Sequence, residues 1–364
     1  MRLRFLAGLL VLALLGGAGC VSPEIRGSLG TPDLHMENGK KFLEMEKYGD
    51  ALREFERAWE LNPRLSEAGV GIALASAGLM DYPAAEAALE QAERDSWLDG
   101  RASGVAVGRI RVLTMGRERI SGDWLARAED AFQRARRLDP DSDASWYAMG
   151  LAHKMAFDLS EAKRMFAAVI QKNGPHAQKA DAQFALIQRM ELAGAQTEAG
   201  RQALLSESLS RGQAAALLIR ELDGTRFLSQ GTIARLDPTD AAGHPYEAEI
   251  LAVAAMGIHG LITYPDGTFR PDEPVTRGHF AQILEDALIR ATGSRGLAHE
   301  FAGNSSPFPD VPKGSPWFNA VMVCATRGLM HTRDLAAGRF APTDPVSGPD
   351  ALLAVKALKR LINS

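Results

Sequence analysis

Two arginines stand at matching places in two copies of one pattern. Arg277 follows Thr276 at the start of an amphipathic stretch, and Arg211 follows Ser210 at the start of another. A hydroxyl residue there caps a helix, so each guanidinium falls in a first helical turn, beside the positive end of the dipole. A cation in that place breaks a local rule, and such breaks gather where a side chain serves a ligand. The chemistry on offer is anion binding, because a guanidinium holds a carboxylate through two parallel hydrogen bonds. Arg270, Tyr246 and Trp317 complete the candidate set, adding a further guanidinium and two flat rings. Two other readings stay open: Arg277 paired with a neighbouring Asp or Glu, and Trp317 packed at least partly in the core.

The positioning elements form a repeat. Gly267, Phe269, Pro271, Pro274, Val275 and Thr276 recur 71 residues later as Gly338, Phe340, Pro342, Pro345, Val346 and Ser347. Pro265-Asp266-Gly267 reads as a turn, Phe269 begins a short extended piece, and the prolines fix a loop. Thr276 then caps a helix whose Phe280, Ile283, Leu284, Ala287 and Leu288 share one face. Asp266 and Asp310 read as turn formers, given their Pro and Gly neighbours. The same offset sets Tyr246 on Trp317, Gly257 on Gly328 and Ile258 on Leu329. Only the helical half appears a third time, from Leu209 to Leu222. Three helices beginning near Arg211, Arg277 and Gly348 each carry an apolar face that cannot be buried alone, which predicts a three-helix core.

This pattern resembles S-layer homology domains. The family's GTFRP and TRG segments stand here as Gly267-Thr268-Phe269-Arg270-Pro271 and Thr276-Arg277-Gly278, and the resemblance covers roughly residues 204–362. It implies a pseudo-threefold module whose inter-repeat grooves bind cell-wall polysaccharide, often one bearing an acidic pyruvyl ketal. The groove arginine of the TRG-like motif carries over to Arg277 and Arg211. The third copy has Gly348 in that place, which implies a lost contact, and the first copy lacks an aromatic-rich front half. At most two grooves are then complete. Aromatic rings pack well on the apolar face of a sugar, which suits Trp317 and Tyr246 to such a ligand.

A second repeat precedes it, with a period of 34 residues: Tyr48, Ala51, Phe55 and Ala58 recur as Tyr82, Ala85, Leu89 and Ala92. Leu125, Ala128, Phe132 and Ala135 recur at the same spacing as Leu159, Ala162, Phe166 and Val169. This resembles tetratricopeptide repeats, in which small residues let paired helices approach, large ones fill the space between, and Pro63 and Pro140 end second helices. The resemblance implies a protein partner in a concave groove; the first-helix positions Lys40, Leu43, Val70, Leu74, Leu113, Arg117, Tyr147 and Lys154 are its candidates, with no sharp chemical signature, and packing is the better reading for most of the apolar ones. A bare spacer is the other reading. About nine extra residues separate the second and third units, and the glycine-rich stretch Ser96 to Gly108 is the expected loop extension or local break. Residues Ala177 to Ala195 read as a capping helix.

Arg2 and Arg4 precede an apolar run, Phe5 to Leu15, then small residues before Cys20. The run is short for a membrane span and resembles a bacterial lipoprotein signal, although Gly17 replaces the usual leucine. Lipidation of Cys20 would leave Cys324 as the only thiol, in an apolar run that suits a buried, inert sulfur.

The chain has 41 basic and 45 acidic residues, a net charge of −4. Nothing in that balance suggests nucleic acid. No GxSxG, HExxH, P-loop or paired-cysteine motif occurs, so no catalytic residue, cofactor or metal is assigned. Asp139, Asp141 and Asp143 lack the glycine and glutamate of a calcium loop and suit helix capping. Gly69-Val70-Gly71 falls inside a repeat helix and lacks the third glycine of a dinucleotide site.

The expected fold is mainly α, a tetratricopeptide-like helical-repeat solenoid followed by an α-rich pseudo-threefold module with short strands or turns. The expected domains are a signal at 1–19, a lipidated tether at 20–34, about four repeats plus a capping helix at 35–195, and the wall-binding module at 204–362. That module divides into a partial first repeat at 204–222, a second at 236–292 and a third at 308–362. The expected role is non-catalytic tethering of membrane to cell-wall polysaccharide or a peptidoglycan-linked polymer. The membrane contact is lipidated Cys20, on an exported protein of the outer membrane facing the periplasm if the cell has two membranes. The alternative is a scaffold for secretion or outer-membrane assembly, whose degenerate module makes protein contacts only.

Overall fold

The computed structural model describes residues 30–120, 122–225 and 237–364. The expected signal, Cys20 and most of the expected tether lie outside them. The chain is mainly helical, and its described residues divide into two compact units that meet in sequence at Ile120 and Ser121. Among the described residues no helix is long and apolar enough to cross a membrane.

The first unit contains α1 (Pro32–Glu44), α2 (Tyr48–Leu61), α3 (Ser66–Gly78), α4 (Tyr82–Asp99) and α5 (Ala102–Met115). Thr31 accepts the Leu34 amide and Pro32 opens the first turn, so α1 begins inside the stretch expected as tether. The short turns inside the pairs use left-handed residues, Glu46 at φ 56° and Met80 at φ 64°. Small residues set the pair spacing as the period implied. A Cβ on Gly71 would lie 2.4 Å from the Phe55 ring, so its absence lets that ring lie flat on α3. Phe55 is 1 % exposed, and burying such a ring contributes about 1.5–3 kcal/mol.

The glycine-rich segment departs from expectation. Ser96 to Gly108 is no loop: α4 runs to Asp99, Gly100 turns the chain in a left-handed conformation, and α5 starts at Ala102. Gly108 is small because Val70 sits where its Cβ would go, 2.6 Å away. Of the segment's three glycines, Gly108 serves close approach, Gly100 serves the turn and Gly104 faces open space, and the connection from α5 to α6 falls at 116–123. Of the residues expected to face a groove, Leu74 and Leu113 are buried in the core and Lys154 is buried, donating to Gln183 at 2.7 Å. Lys40 stays on the surface, paired with Glu67.

The second unit contains α6 (Trp124–Leu138), α7 (Asp143–Met155), α8 (Leu159–Lys172), α9 (Ala177–Ala193), α10 (Glu198–Leu204) and α11 (Arg211–Ala216). A π-helical turn, Leu217–Glu221, extends α11; then come α12 (Glu247–Met256), α13 (Arg277–Thr292), α14 (Phe318–Thr326) and α15 (Gly348–Asn363). One apolar core runs through this unit from Ala162 and Phe166 on α8, through Ile187 and Met190 on α9, to Phe269, Phe280, Phe340 and Leu358. Helix α9 packs on both α8 and α15, so the last helices of the repeat array and the C-terminal module share that core.

The module closes as a ring. The Leu209 amide donates to Val346 O at 2.9 Å, Val275 to Leu209 O at 2.8 Å, and Val346 to Val275 O at 3.0 Å. Each of these residues precedes a capped helix by two positions, the caps being Ser210, Thr276 and Ser347. Extended structure among the described residues amounts to isolated bridges such as Ser210 with Pro274 and Thr276 with Pro345. The front helix of each copy packs on the capped helix of another: α12 on α11, α14 on α13 and α10 on α15. The first copy therefore has a front helix, α10, and what it lacks is the loop that follows it.

Candidate functional site

Two inter-copy junctions carry an arginine, and their geometries differ. At the first, Arg211 is buried and all three guanidinium nitrogens donate to backbone carbonyls: Nε to Phe269 at 2.7 Å, Nη1 to Gly260 at 3.0 Å and Nη2 to Ile262 at 2.8 Å. Its cation lies 4.7 Å from the Phe269 ring centre and 4.9 Å from that of Tyr264. Arg270 covers Tyr264 as well, at 4.1 Å, and is held by Asp266 at 3.0 Å. Asp266 also accepts the Thr268 amide and hydroxyl, and these bonds pull its pKa down to about 2. The loop over Arg211 is thus closed by its own side chains.

At the second junction Arg277 is equally buried, with Nε on Phe340 O at 2.8 Å and Nη2 on His331 O at 2.6 Å, over the Phe340 ring at 4.7 Å. Desolvation lowers the pKa of both arginines, yet a guanidinium titrates so high that each stays charged. The loop over Arg277 lacks the closing set: Tyr264, Asp266 and Arg270 are replaced by Leu335, Ala337 and Ala341. Leu335 is 86 % exposed, so it covers nothing. A cavity of about 400 Å³ opens there, lined by Arg189, Arg277, His331, Arg333, Asp350 and Arg360 among others.

Each loop is set by a carboxylate earlier in the same copy. Asp240 accepts the amides of Phe269 at 2.7 Å and Arg270 at 2.8 Å; Asp310 accepts those of Phe340 at 3.0 Å and Ala341 at 2.7 Å. Arg270 and Ala341 have φ of 56° and 58°, and the paired acceptor holds each in that strained conformation. Asp310 is therefore a clamp on a distant loop where a local turn was expected, while Asp266 does form its turn.

The rings stand where helices begin. Tyr246 and Trp317 precede α12 and α14, each half-buried against the glycine of the preceding copy's helix start. A Cβ on Gly278 would come within 2.9 Å of the Trp317 ring, and one on Gly212 within 3.3 Å of Tyr246. The Tyr246 hydroxyl donates to Gln202 at 2.7 Å, and His279 meets Trp317 edge-on at 5.7 Å. At the third junction a Cβ on Gly348 would lie 1.6 Å from Ala203 O, because α10 presses on the start of α15. No arginine fits there.

The structure thus gathers the expected residues unequally. Arg277 lines the 400 Å³ cavity; Arg270 lines a separate shallow hollow with His244 and Asp272; Arg211 is spent on carbonyls. Arg189, Arg333, Arg360 and Asp350 escaped the sequence reading. The first three carry no motif, and Asp350 sits at a helix-start position held by Gln213 and His279 in the other copies. Cys324 is buried as expected, its thiol facing Ala281 O at 3.5 Å and its pKa pushed up by burial.

No match to a curated protein was found. Residues 239–281 and 307–351 match the S-layer homology domain family, whose modules are non-catalytic and bind cell-wall polymers.

Proposed function

We propose that this chain attaches to the cell wall by holding wall polysaccharide in the cavity beside Arg277. The observation that carries this is a buried, positively charged guanidinium lining an open cavity where the second matched segment meets the first. Trp317, against Gly278 at the same junction, offers a ring to a sugar face. Arg211, by contrast, works as a structural clamp. In the same reading the chain is exported and lipid-anchored through Cys20, and its helix pairs are tetratricopeptide-like repeats that meet a protein partner.

The test is sedimentation of the chain with purified sacculi, before and after chemical stripping of wall polymers. Arg277→Ala, checked for folding, runs beside the wild type. Co-sedimentation that disappears on stripping and in the variant supports the reading; a wild type that stays in the supernatant with native sacculi sinks it. A second reading, a scaffold that makes protein contacts only, draws on the third junction, where α10 fills the place of a groove. That reading requires the wild type itself to stay in the supernatant with native sacculi.

A further inference from the structure

The cavity beside Arg277 is not built by the family-matched segments alone. Arg189 comes from α9, well before the first matched segment, and Arg360 lies beyond the end of the second. The lining holds four guanidiniums, those of Arg189, Arg277, Arg333 and Arg360, and one carboxylate, that of Asp350. This excess of positive charge sits in a chain whose net charge is −4. A concave site lined by one sign of charge focuses its field and draws in the opposite sign.

The four cations are not alike. Arg277 is 4 % exposed and its Nε and Nη2 are committed to carbonyls, so it forms a fixed floor. Arg189 and Arg333 are about half exposed, at 47 % and 46 %, and hold Asp350 from two sides at 3.6 Å and 3.5 Å. Those distances are longer than a good charge-assisted hydrogen bond. One carboxylate shared loosely between two arginines leaves donors for a second acid.

We propose that the cavity takes an acidic glycan segment carrying more than one negative charge, and that Arg189, Arg333 and Arg360 are the residues that read the additional charge. The inference rests on the glycan-binding reading above and adds to it the ligand's charge and its readers. Asp350 acts as a resident counter-charge. It offsets part of the repulsion among the arginines in the free protein, and it sets a threshold, since a ligand with one charge gains little beyond what Asp350 already supplies. Helix α9 thereby becomes part of the binding site. Carboxylate-bearing sugars and phosphodiester-linked units present the same chemistry to these arginines, and the experiment separates them.

The full chain is titrated with purified wall polysaccharide in three forms: untreated, with carboxyls converted to neutral amides by carbodiimide coupling to methylamine, and with phosphodiesters cleaved by hydrofluoric acid. The triple variant Arg189→Gln, Arg333→Gln, Arg360→Gln is compared with a triple lysine variant, which keeps the charge. Thermal midpoints without polymer verify folding, and the single Arg360→Gln variant, which spares the Asp350 pairs, serves if the triple variant fails to fold. The glutamine variant should bind untreated polymer about tenfold or more weakly with a flatter salt dependence. The lysine variant should keep most of the affinity, and one of the two chemical treatments should abolish wild-type binding, naming the acid. Glutamine-variant affinity within about twofold of wild type, or wild-type binding indifferent to both treatments, overturns the inference while glycan binding stands. A wild type that binds no form overturns both.

Discussion

The two arginine junctions share a backbone and differ in what lies over it. In each, a buried guanidinium reaches into the next copy's loop and an aspartate clamps that loop through two consecutive amides. Over Arg211 the loop supplies Tyr264, Arg270 and Asp266, which interlock and leave the cation three carbonyls. Over Arg277 the same positions hold Leu335, Ala341 and Ala337, which cannot interlock in that way, and Arg277 lines a cavity formed with residues 328–333 and with side chains of α9 and α15. A repeated frame thus yields a clamp in one place and an open site in another. The difference lies in loop side chains and, at the open junction, also in Arg189 of α9 and Arg360 of α15, which line the cavity.

Gly348→Ala should have the largest effect, since its new Cβ meets the Ala203 carbonyl at 1.6 Å and backbone must move. A stability loss of about 3 kcal/mol is expected in chemical denaturation; a neutral result would mean that α10 does not press on the third junction. Arg211→Ala should cost a similar or slightly smaller amount, about 2–3 kcal/mol, by orphaning three carbonyls. Polymer binding should survive better in that variant than in Arg277→Ala, and the reverse order would make the first junction the site.

Grafting the closing set onto the second junction, as Leu335→Tyr, Ala337→Asp and Ala341→Arg together, should weaken polymer binding about tenfold with little change in stability. Unchanged affinity would show that the cavity is not used.

The smallest effect concerns Glu285 on α13, whose counterpart 71 residues on is Lys356. Burial raises the Glu285 pKa to about 7, against the lowering effect of its hydrogen bond from Asn319. A raised carboxyl contributes stability that is fully present below about pH 4.5 and lost as pH rises through about 7. Glu285→Gln, which keeps an acceptor for Asn319, should flatten that slope and stabilise the protein at pH 8 by about 1 kcal/mol, allowing for solvent screening. A wild-type profile that is already flat across this range refutes the assignment.

The positions most legible in the sequence were those fixed by local rules. Ser210, Thr276 and Ser347 cap helices because a hydroxyl must meet a free amide. Ala51, Phe55 and Ala58 are buried in one cluster because a fixed period places small residues beside a large one. Glycine was also where the reading failed, since the same residue type that ends a helix also permits close helix contact, as Gly108 does against Val70. Asp310 reads as a turn residue because a proline, Pro309, precedes it, while its bonds run to amides some thirty positions away.

The sequence by itself determined the helix caps, the two periods and the arginine at two of the three helix starts, because each follows from neighbours a few residues apart or from a repeated spacing. Only the tertiary structure decided which arginine is spent and which is available. That depends on whether the facing loop can close on itself, and on Arg189, Arg333 and Arg360 reaching one cavity from α9, a loop and α15. Distant segments meet through the shared apolar core, and no local pattern records which polar side chains that meeting brings together.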